Sequence, residues 1–145
     1  MNISKVSKKL NLTPNTLRYY EQEKLIPPVH RDANGYRDYT DYDLNWIYFV
    51  KCMRKSGMSV EAIAEYTKLF LEDRHQTIDA RKEILKNERN RMQREIEKIQ
   101  QSIAFINHKL DIYDGKFQFA EDQIDPYIQH ELIFKGDVDN ENRNI

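Results

Sequence analysis

Apolar residues return at helical spacing along most of this 145-residue chain, and polar punctuation divides them into elements. Ile3, Val6 and Leu10 fall on one face, with Asn2 or Ser4 placed to cap the helix they define. Asn11-Leu12 makes a turn. Thr13 reads as the N-cap of a second helix, with Pro14 at the first helical position, where its missing N–H is not needed. That helix runs to about Glu23. Pro27-Pro28 forbid its continuation, because each lacks a donor and disfavours helix in the residue before it.

Between Val29 and Thr40, Asn34-Gly35 is flanked by short polar-aromatic runs, a strong hairpin signal, and predicts a two-stranded ribbon with Tyr36 and Arg37 just past its tip. Thr40 or Asp41 caps a third helix, roughly Tyr42 to Ser56. Leu44, Ile47 and Tyr48 mark one face of it, and Trp46, Phe49 and Val50 widen that face. Gly57 fits its stop. Ser59 caps a fourth helix, Val60 to about Leu71, carrying Ile63, Tyr66, Leu69 and Phe70.

From Thr77 to Tyr113 there is neither proline nor glycine. Leu85, Met92, Ile96, Ile99, Ile103, Ile106, Leu110 and Tyr113 follow a 3-4 spacing, interrupted by charge at Lys82 and Arg89. The pattern predicts a long helix with a coiled-coil seam of limited length, in either parallel or antiparallel pairing. Asp114-Gly115 ends it. The remainder carries Pro126 and finishes in DVDNENRNI, polar enough to be expected disordered, while QFAEDQI and DPYIQHELIF retain some apolar residues.

Charge sharpens the division. Residues 1–60 hold ten Lys/Arg against six Asp/Glu, a net of +4; residues 61–116 hold eleven of each; residues 117–145 hold two against seven, a net of −5. A basic first unit followed by an acidic tail is the asymmetry of a nucleic-acid binder. The single cysteine, Cys52, excludes an internal disulfide and a thiolate metal cage. MNISKVSKKL has no apolar run of the kind a signal peptide needs, and no stretch reaches transmembrane length, so a cytoplasmic protein with no membrane partner is expected.

A helix, a short turn and a second helix opening on Thr-Pro describe a helix-turn-helix, whose second helix enters the major groove. Leu17 turns inward towards Val6 and Leu10, and Arg18 and Tyr19 project from another face. A guanidinium forks onto guanine edges or phosphate, tyrosine hydroxyls reach phosphates, and Asn15 and Thr16 are short polar groups on the same surface. The ribbon adds Arg31 on one strand and Tyr36-Arg37 on the other, a wing suited to the backbone beside the groove. An enzyme finds no support, because no Gly-rich phosphate loop, Ser-His-Asp set or isolated carboxylate pair is present. A purely structural coiled-coil adaptor explains residues 77–113 but not the Thr-Pro cap, the Arg-Tyr-Tyr cluster or the ribbon.

LTPNTLRYYEQEKLIPP, the wing RDANGYRDYT and the helix DYDLNWIYFVKCMRKSGMSVEAI together resemble the MerR family of bacterial transcription regulators, over residues 1 to about 113. The resemblance implies a mainly α fold: a winged helix-turn-helix domain over 1–75, a long coiled-coil dimerisation helix over 76–114 with Leu85, Met92, Ile96, Ile99, Ile103, Ile106 and Leu110 at its seam, and an acidic, partly disordered tail over 115–145. It implies a homodimer with antiparallel long helices, bound to a palindrome in double-stranded promoter DNA and distorting an overlong spacer so that RNA polymerase engages both promoter elements. By position it assigns DNA contact to Thr16, Arg18, Tyr19 and Tyr20, to Tyr36 and Arg37 of the wing, and further to Arg31 and Arg54.

Metal-sensing members carry a cysteine pair near the end of the long helix. KLDIYDGKFQF has none, and His108 and His130 stand apart, so neither metal nor cofactor is expected. Thirty residues after Gly115 are too few for the ligand-binding domain of drug-sensing members. Cys52 lies among Lys51, Arg54 and Lys55, whose charges favour a thiolate. FVKCMRKSGMSVEAIAEYTKLF resembles a branch of the family that answers aldehydes and related electrophiles through one cysteine in this helix, which implies Cys52 as sensor of a small electrophilic effector.

Overall fold

A computed structural model describes residues 1–114 and 118–133. The described chain is mainly helical, in the order α1 (Ile3–Leu10), α2 (Pro14–Gln22), α3 (Asp41–Lys55), α4 (Val60–Glu72), α5 (Ile78–Asp111), one 3-10 turn (Ile112–Asp114) and α6 (Gln118–Ile124). It divides into two compact units, Met1–Met92 and Gln93–Ile145.

In the first unit α1, α2, α3 and α4 each begin on a side-chain cap. Asn2 Oδ1 accepts from the Lys5 N–H at 2.9 Å, and Thr13 Oγ1 accepts from the Thr16 N–H at 3.1 Å, with Pro14 next in line. Thr40 and Asp43 form a reciprocal capping box, and Ser59 Oγ accepts from the Ala62 N–H. Two of the helices stop through the same pair of backbone bonds. After α3, Met58 N–H donates to the Met53 carbonyl and Gly57 N–H to that of Arg54, with Gly57 at φ 93°. After α2, Leu25 N–H donates to the Tyr20 carbonyl and Lys24 N–H to that of Glu21, with Lys24 at φ 59°. α2 therefore ends on a left-handed lysine, ahead of the prolines.

The core collects Val6 of α1, Leu17 of α2, Leu25 beyond it, Ile47 and Val50 of α3 and Ile63 of α4, all fully buried. Tyr48, expected on the inner face of α3, is instead 60% exposed. At about 100° per residue it follows Ile47 around the helix and leaves the stripe that Leu44, Ile47 and Val50 define. The start of α5 packs on this unit. Ile84 and Met92 lie against the core, and the Glu88 carboxylate accepts from the Ser59 hydroxyl at 3.1 Å and from Arg91 Nη2 at 2.6 Å. Arg91 Nη2 also donates to the Gly57 carbonyl at 2.8 Å. Met92, expected at a dimer seam, is thus half-buried against its own unit.

The wing is narrower than a two-stranded ribbon. Among the described residues it holds one antiparallel bridge, Arg31 with Arg37, with bonds from Asp32 N–H to the Tyr36 carbonyl and from Asp38 N–H to that of His30. Its tip is closed by Gly35 N–H on the Asp32 carbonyl, with Gly35 at φ 83°, and by Asp32 Oδ1, which accepts from the N–H groups of Asn34 and Tyr36. Beyond the bridge, Tyr39 N–H turns to the Met1 carbonyl, so the ladder does not extend.

In the second unit, Ile96, Ile99, Ile103, Ile106 and Leu110 lie along α5, each more than half exposed. Lys109 pairs with Glu121 of α6, and Ile112 is buried. QFAEDQI forms α6, whereas the expected disordered end DVDNENRNI and Gly115 lie outside the described residues. No described helix is long and apolar enough to cross a membrane.

Candidate nucleic-acid interface

The contact face is built on the first turns of α2. With Thr13 and Pro14 fixing the start of the helix, Leu17 points into the core and is fully buried, which turns Arg18 and Tyr19 outward. Arg18 Nη1 donates to Asn15 Oδ1 at 2.9 Å, so the guanidinium is steadied by a neighbour one turn back while staying exposed. Thr16 Oγ1 lies 2.9 Å from Thr13 Oγ1 and is half-buried at the cap. Tyr19 is 43% exposed, but Tyr20 is 5% exposed and belongs to the core. Adjacent helical residues point about 100° apart, and here Tyr20 falls on the core side with Leu17 while Tyr19 does not. Burial raises the Tyr20 phenol above its ordinary pKa, with Arg54 acting in the opposite sense.

The wing brings its own side chains to the same place. Arg18, Arg31, Tyr36 and Arg37 line one concave surface together with Asn2 and Ile3 at the start of α1. Tyr36 is 72% exposed. Arg31 Nη1 donates to the Gly35 carbonyl at 2.9 Å. Two carboxylates also line the surface, and both are engaged: Asp32 by the backbone of the wing tip, Asp38 by the Met1 ammonium at 2.7 Å. Three guanidinium groups around a concavity whose carboxylates are already occupied form a surface suited to phosphate.

Arg37 is held more firmly than its neighbours. Its Nε donates to Glu21 Oε1 at 2.6 Å, while Glu21 Oε2 accepts from the Val29 N–H at 2.7 Å. Burial raises the Glu21 pKa, but the Val29 N–H, Arg37 and Arg31 together outweigh it and hold the carboxyl below its ordinary value. Glu21 was not among the expected site residues. Its only sequence signal is an acidic residue one turn beyond Arg18, and with five further Asp/Glu in residues 1–60 it does not stand out.

Arg54 acts on Tyr20 but does not line the concave surface; it is exposed, with Nη1 on the Met58 carbonyl at 2.7 Å. Cys52 is exposed on α3. Of its three cationic neighbours, Lys51 is turned away, donating to the Leu10 carbonyl at 2.7 Å, and Arg54 is engaged as described. Lys55, one turn on, shares the face of the thiol. Among the described residues no group of three or more His, Cys, Asp or Glu is placed to hold a metal ion.

Two family models match this chain: "MerR HTH family regulatory protein" over residues 1–69 and "MerR, DNA binding" over residues 44–109. The chain belongs to the MerR family of helix-turn-helix regulators. The HTH-type transcriptional regulator AdhR of Bacillus subtilis is 54% identical over 92 residues, covering 63% of this chain and 65% of that protein, so the match spans just under two thirds of this relative. A crystal structure assigned to a MerR family regulator of Listeria monocytogenes shares 37% identity, with a TM-score of 0.63, over 86% of this chain and 93% of the other. HiNmlR, a MerR family regulator lacking the sensor domain and solved bound to promoter DNA, shares 28% identity, with a TM-score of 0.57, over 78% and 89% of the two chains. Membership of a family of DNA-binding transcription regulators sets aside both the enzyme and the structural adaptor.

Proposed function

We propose that this MerR family chain acts as a cytoplasmic homodimer that binds a palindromic promoter through α2 and the wing and distorts the spacer to control its use by RNA polymerase. The observation that carries the reading is the shared concave surface of Arg18, Arg31, Tyr36 and Arg37, on which helix and wing offer guanidinium groups together. Arg18 reads a base edge or an inner phosphate, Arg31 and Arg37 take flanking phosphates, and Tyr19 and Tyr36 pack on the backbone. Arg54 is a further phosphate contact. Thr16 and Tyr20 support the helix from its cap and from the core. Fluorescence anisotropy with a duplex selected from a random library tests this. Arg18→Ala should weaken binding by about 1–3 kcal/mol if it reads a base. Arg31→Ala should reduce the salt slope by about one unit for each phosphate that the guanidinium neutralises. No change in either variant would overturn the assignment.

For the effector, the exposure of Cys52 supports a small electrophile such as formaldehyde or methylglyoxal reacting at the thiol, with Lys55 as a neighbouring cation. Alkylation there shifts the DNA-binding unit towards its DNA-distorting state. An unchanged transcriptional response to either aldehyde in a Cys52→Ala strain would remove Cys52 as sensor.

A further inference from the structure

We propose that Glu21 is a positioning residue for DNA binding, the clamp that sets Arg37 and the wing against the recognition helix. The inference rests on the reading of Arg37 as a phosphate contact.

Glu21 lies one turn beyond Arg18 on α2, so one helix carries both the contact and the clamp. Its side chain is 16% exposed, and that of Arg37 is 20% exposed. Each oxygen has its own task. Oε1 takes Arg37 Nε at 2.6 Å, from the returning side of the wing, and Oε2 takes the Val29 N–H at 2.7 Å, from the segment leading into the wing. One carboxylate therefore joins three pieces of chain: the recognition helix, the entry to the wing and its return. The wing needs this clamp because it has a single bridge of its own, and an isolated two-residue ladder is marginal in water.

The bond uses Arg37 Nε. Arg37 as a whole still lines the concave surface with Arg18 and Arg31. A fork fixed at one edge is a pre-ordered ligand for an anion, because the rotamer entropy of a long side chain is already spent. The cost is a negative charge placed near the DNA backbone. Two effects of opposite sign follow. As a bare charge, Glu21 opposes binding, and its neutralisation should tighten the complex. As a clamp, it promotes binding, and its neutralisation should weaken the complex.

Glu21→Gln separates the two. Glutamine keeps the size and one acceptor but loses the charge and the second carboxylate oxygen. The full chain would be titrated by anisotropy over a range of KCl concentrations against the library-selected duplex, as Glu21→Gln, Arg37→Ala and the double variant. Arg37→Ala should weaken binding and flatten the salt slope by about one unit for each phosphate left without its guanidinium. Glu21→Gln should also weaken binding, on the order of tenfold for the dimer, despite the gain in net positive charge. The double variant should bind as Arg37→Ala does. Equal or tighter binding by Glu21→Gln, with Arg37→Ala weakened, overturns the clamp and leaves Arg37 as a contact. A Glu21→Gln loss repeated in full on the Arg37→Ala background overturns it too, because Glu21 would then act through the fold and not through Arg37. Unchanged affinity and slope in Arg37→Ala overturn the phosphate reading itself, and the inference with it. If Glu21→Gln does not fold, as read by its thermal melt, Glu21→Asp carries the same test: charge kept, reach shortened by one methylene, and the same dependence on Arg37 expected.

Discussion

The hydroxyl of Thr67, 1% exposed, donates to the backbone carbonyl of Leu25 at 2.7 Å, across 42 residues of chain. It is the buried tie between α4 and the segment that follows the recognition helix. Thr67→Val keeps the shape and removes the donor, leaving a carbonyl desolvated without its partner. The expected loss is about 1–3 kcal/mol of unfolding free energy in urea, with Thr67→Ser retaining most of it. A Thr67→Val protein as stable as the parent would show that the Leu25 carbonyl is satisfied without Thr67.

Stability should fall with acid in a defined direction. Burial raises the Glu88 carboxyl pKa, but its bonds with Arg91 and Ser59 outweigh it, and the net shift, like that of Glu21, is downward from the ordinary 4.5. A carboxyl whose folded pKa is depressed releases its proton earlier in the fold than in the unfolded chain. Its contribution is complete above pH 4.5 and disappears as pH falls through the lower folded value. Exposed Asp38, held down by the Met1 ammonium, and Asp73, held down by the N–H groups of Gln76 and His75, shift the same way. Melting temperatures between pH 6 and pH 3 should therefore decline, less steeply in Glu88→Gln than in the parent. Identical slopes would mean that Glu88 carries no such linkage.

Lys24 sits at φ 59° in the position that Gly57 takes after α3. Left-handed backbone strains a residue with a Cβ, and the lysine side chain is exposed, so little packing compensates. Lys24→Gly should raise unfolding free energy by up to about 1 kcal/mol without altering the cap bonds of Leu25 and Lys24. A decrease would indicate that the aliphatic part of Lys24 packs more than its exposure suggests.

Most of this architecture is legible in the residues, for local reasons. Thr13-Pro14, Thr40 with Asp43, Ser59 and Gly57 are short-range signals whose partners lie within a few positions, and each marks a helix end. Where partners come from afar, legibility fails. Nothing near Glu21 announces that Arg37, sixteen residues on, will meet it, and nothing near Lys51 announces the Leu10 carbonyl. The wing shows both cases. Asn34-Gly35 marks the tip, but the length of the ladder depends on Tyr39 leaving it for Met1. Tyr20 and Met92 are the instructive departures. A tyrosine two positions after Arg18 looks like a contact until burial in the core claims it, and a methionine at 3-4 spacing looks like a seam but packs half-buried at the edge of that core.

The exposed stripe on α5 carries the last prediction. Ile96, Ile99, Ile103, Ile106 and Leu110 repeat at 3-4 spacing, each between 51% and 59% exposed. Five large aliphatic side chains in line would leave a contiguous apolar patch in water, the signature of a partner helix. A second copy of this chain supplies the same stripe. Ile99→Asp places a charge at the middle of that seam, where burial without a partner is prohibitive. In sedimentation equilibrium the parent should behave as a dimer at micromolar concentration and Ile99→Asp as a single chain, with the helices of the first unit intact by circular dichroism. Because one protomer then meets one half-site alone, affinity for palindromic DNA should drop on the order of a hundredfold, while affinity for a single half-site stays level. A parent that sediments as a monomer, or an Ile99→Asp dimer of undiminished affinity, would place the pairing surface elsewhere on the chain.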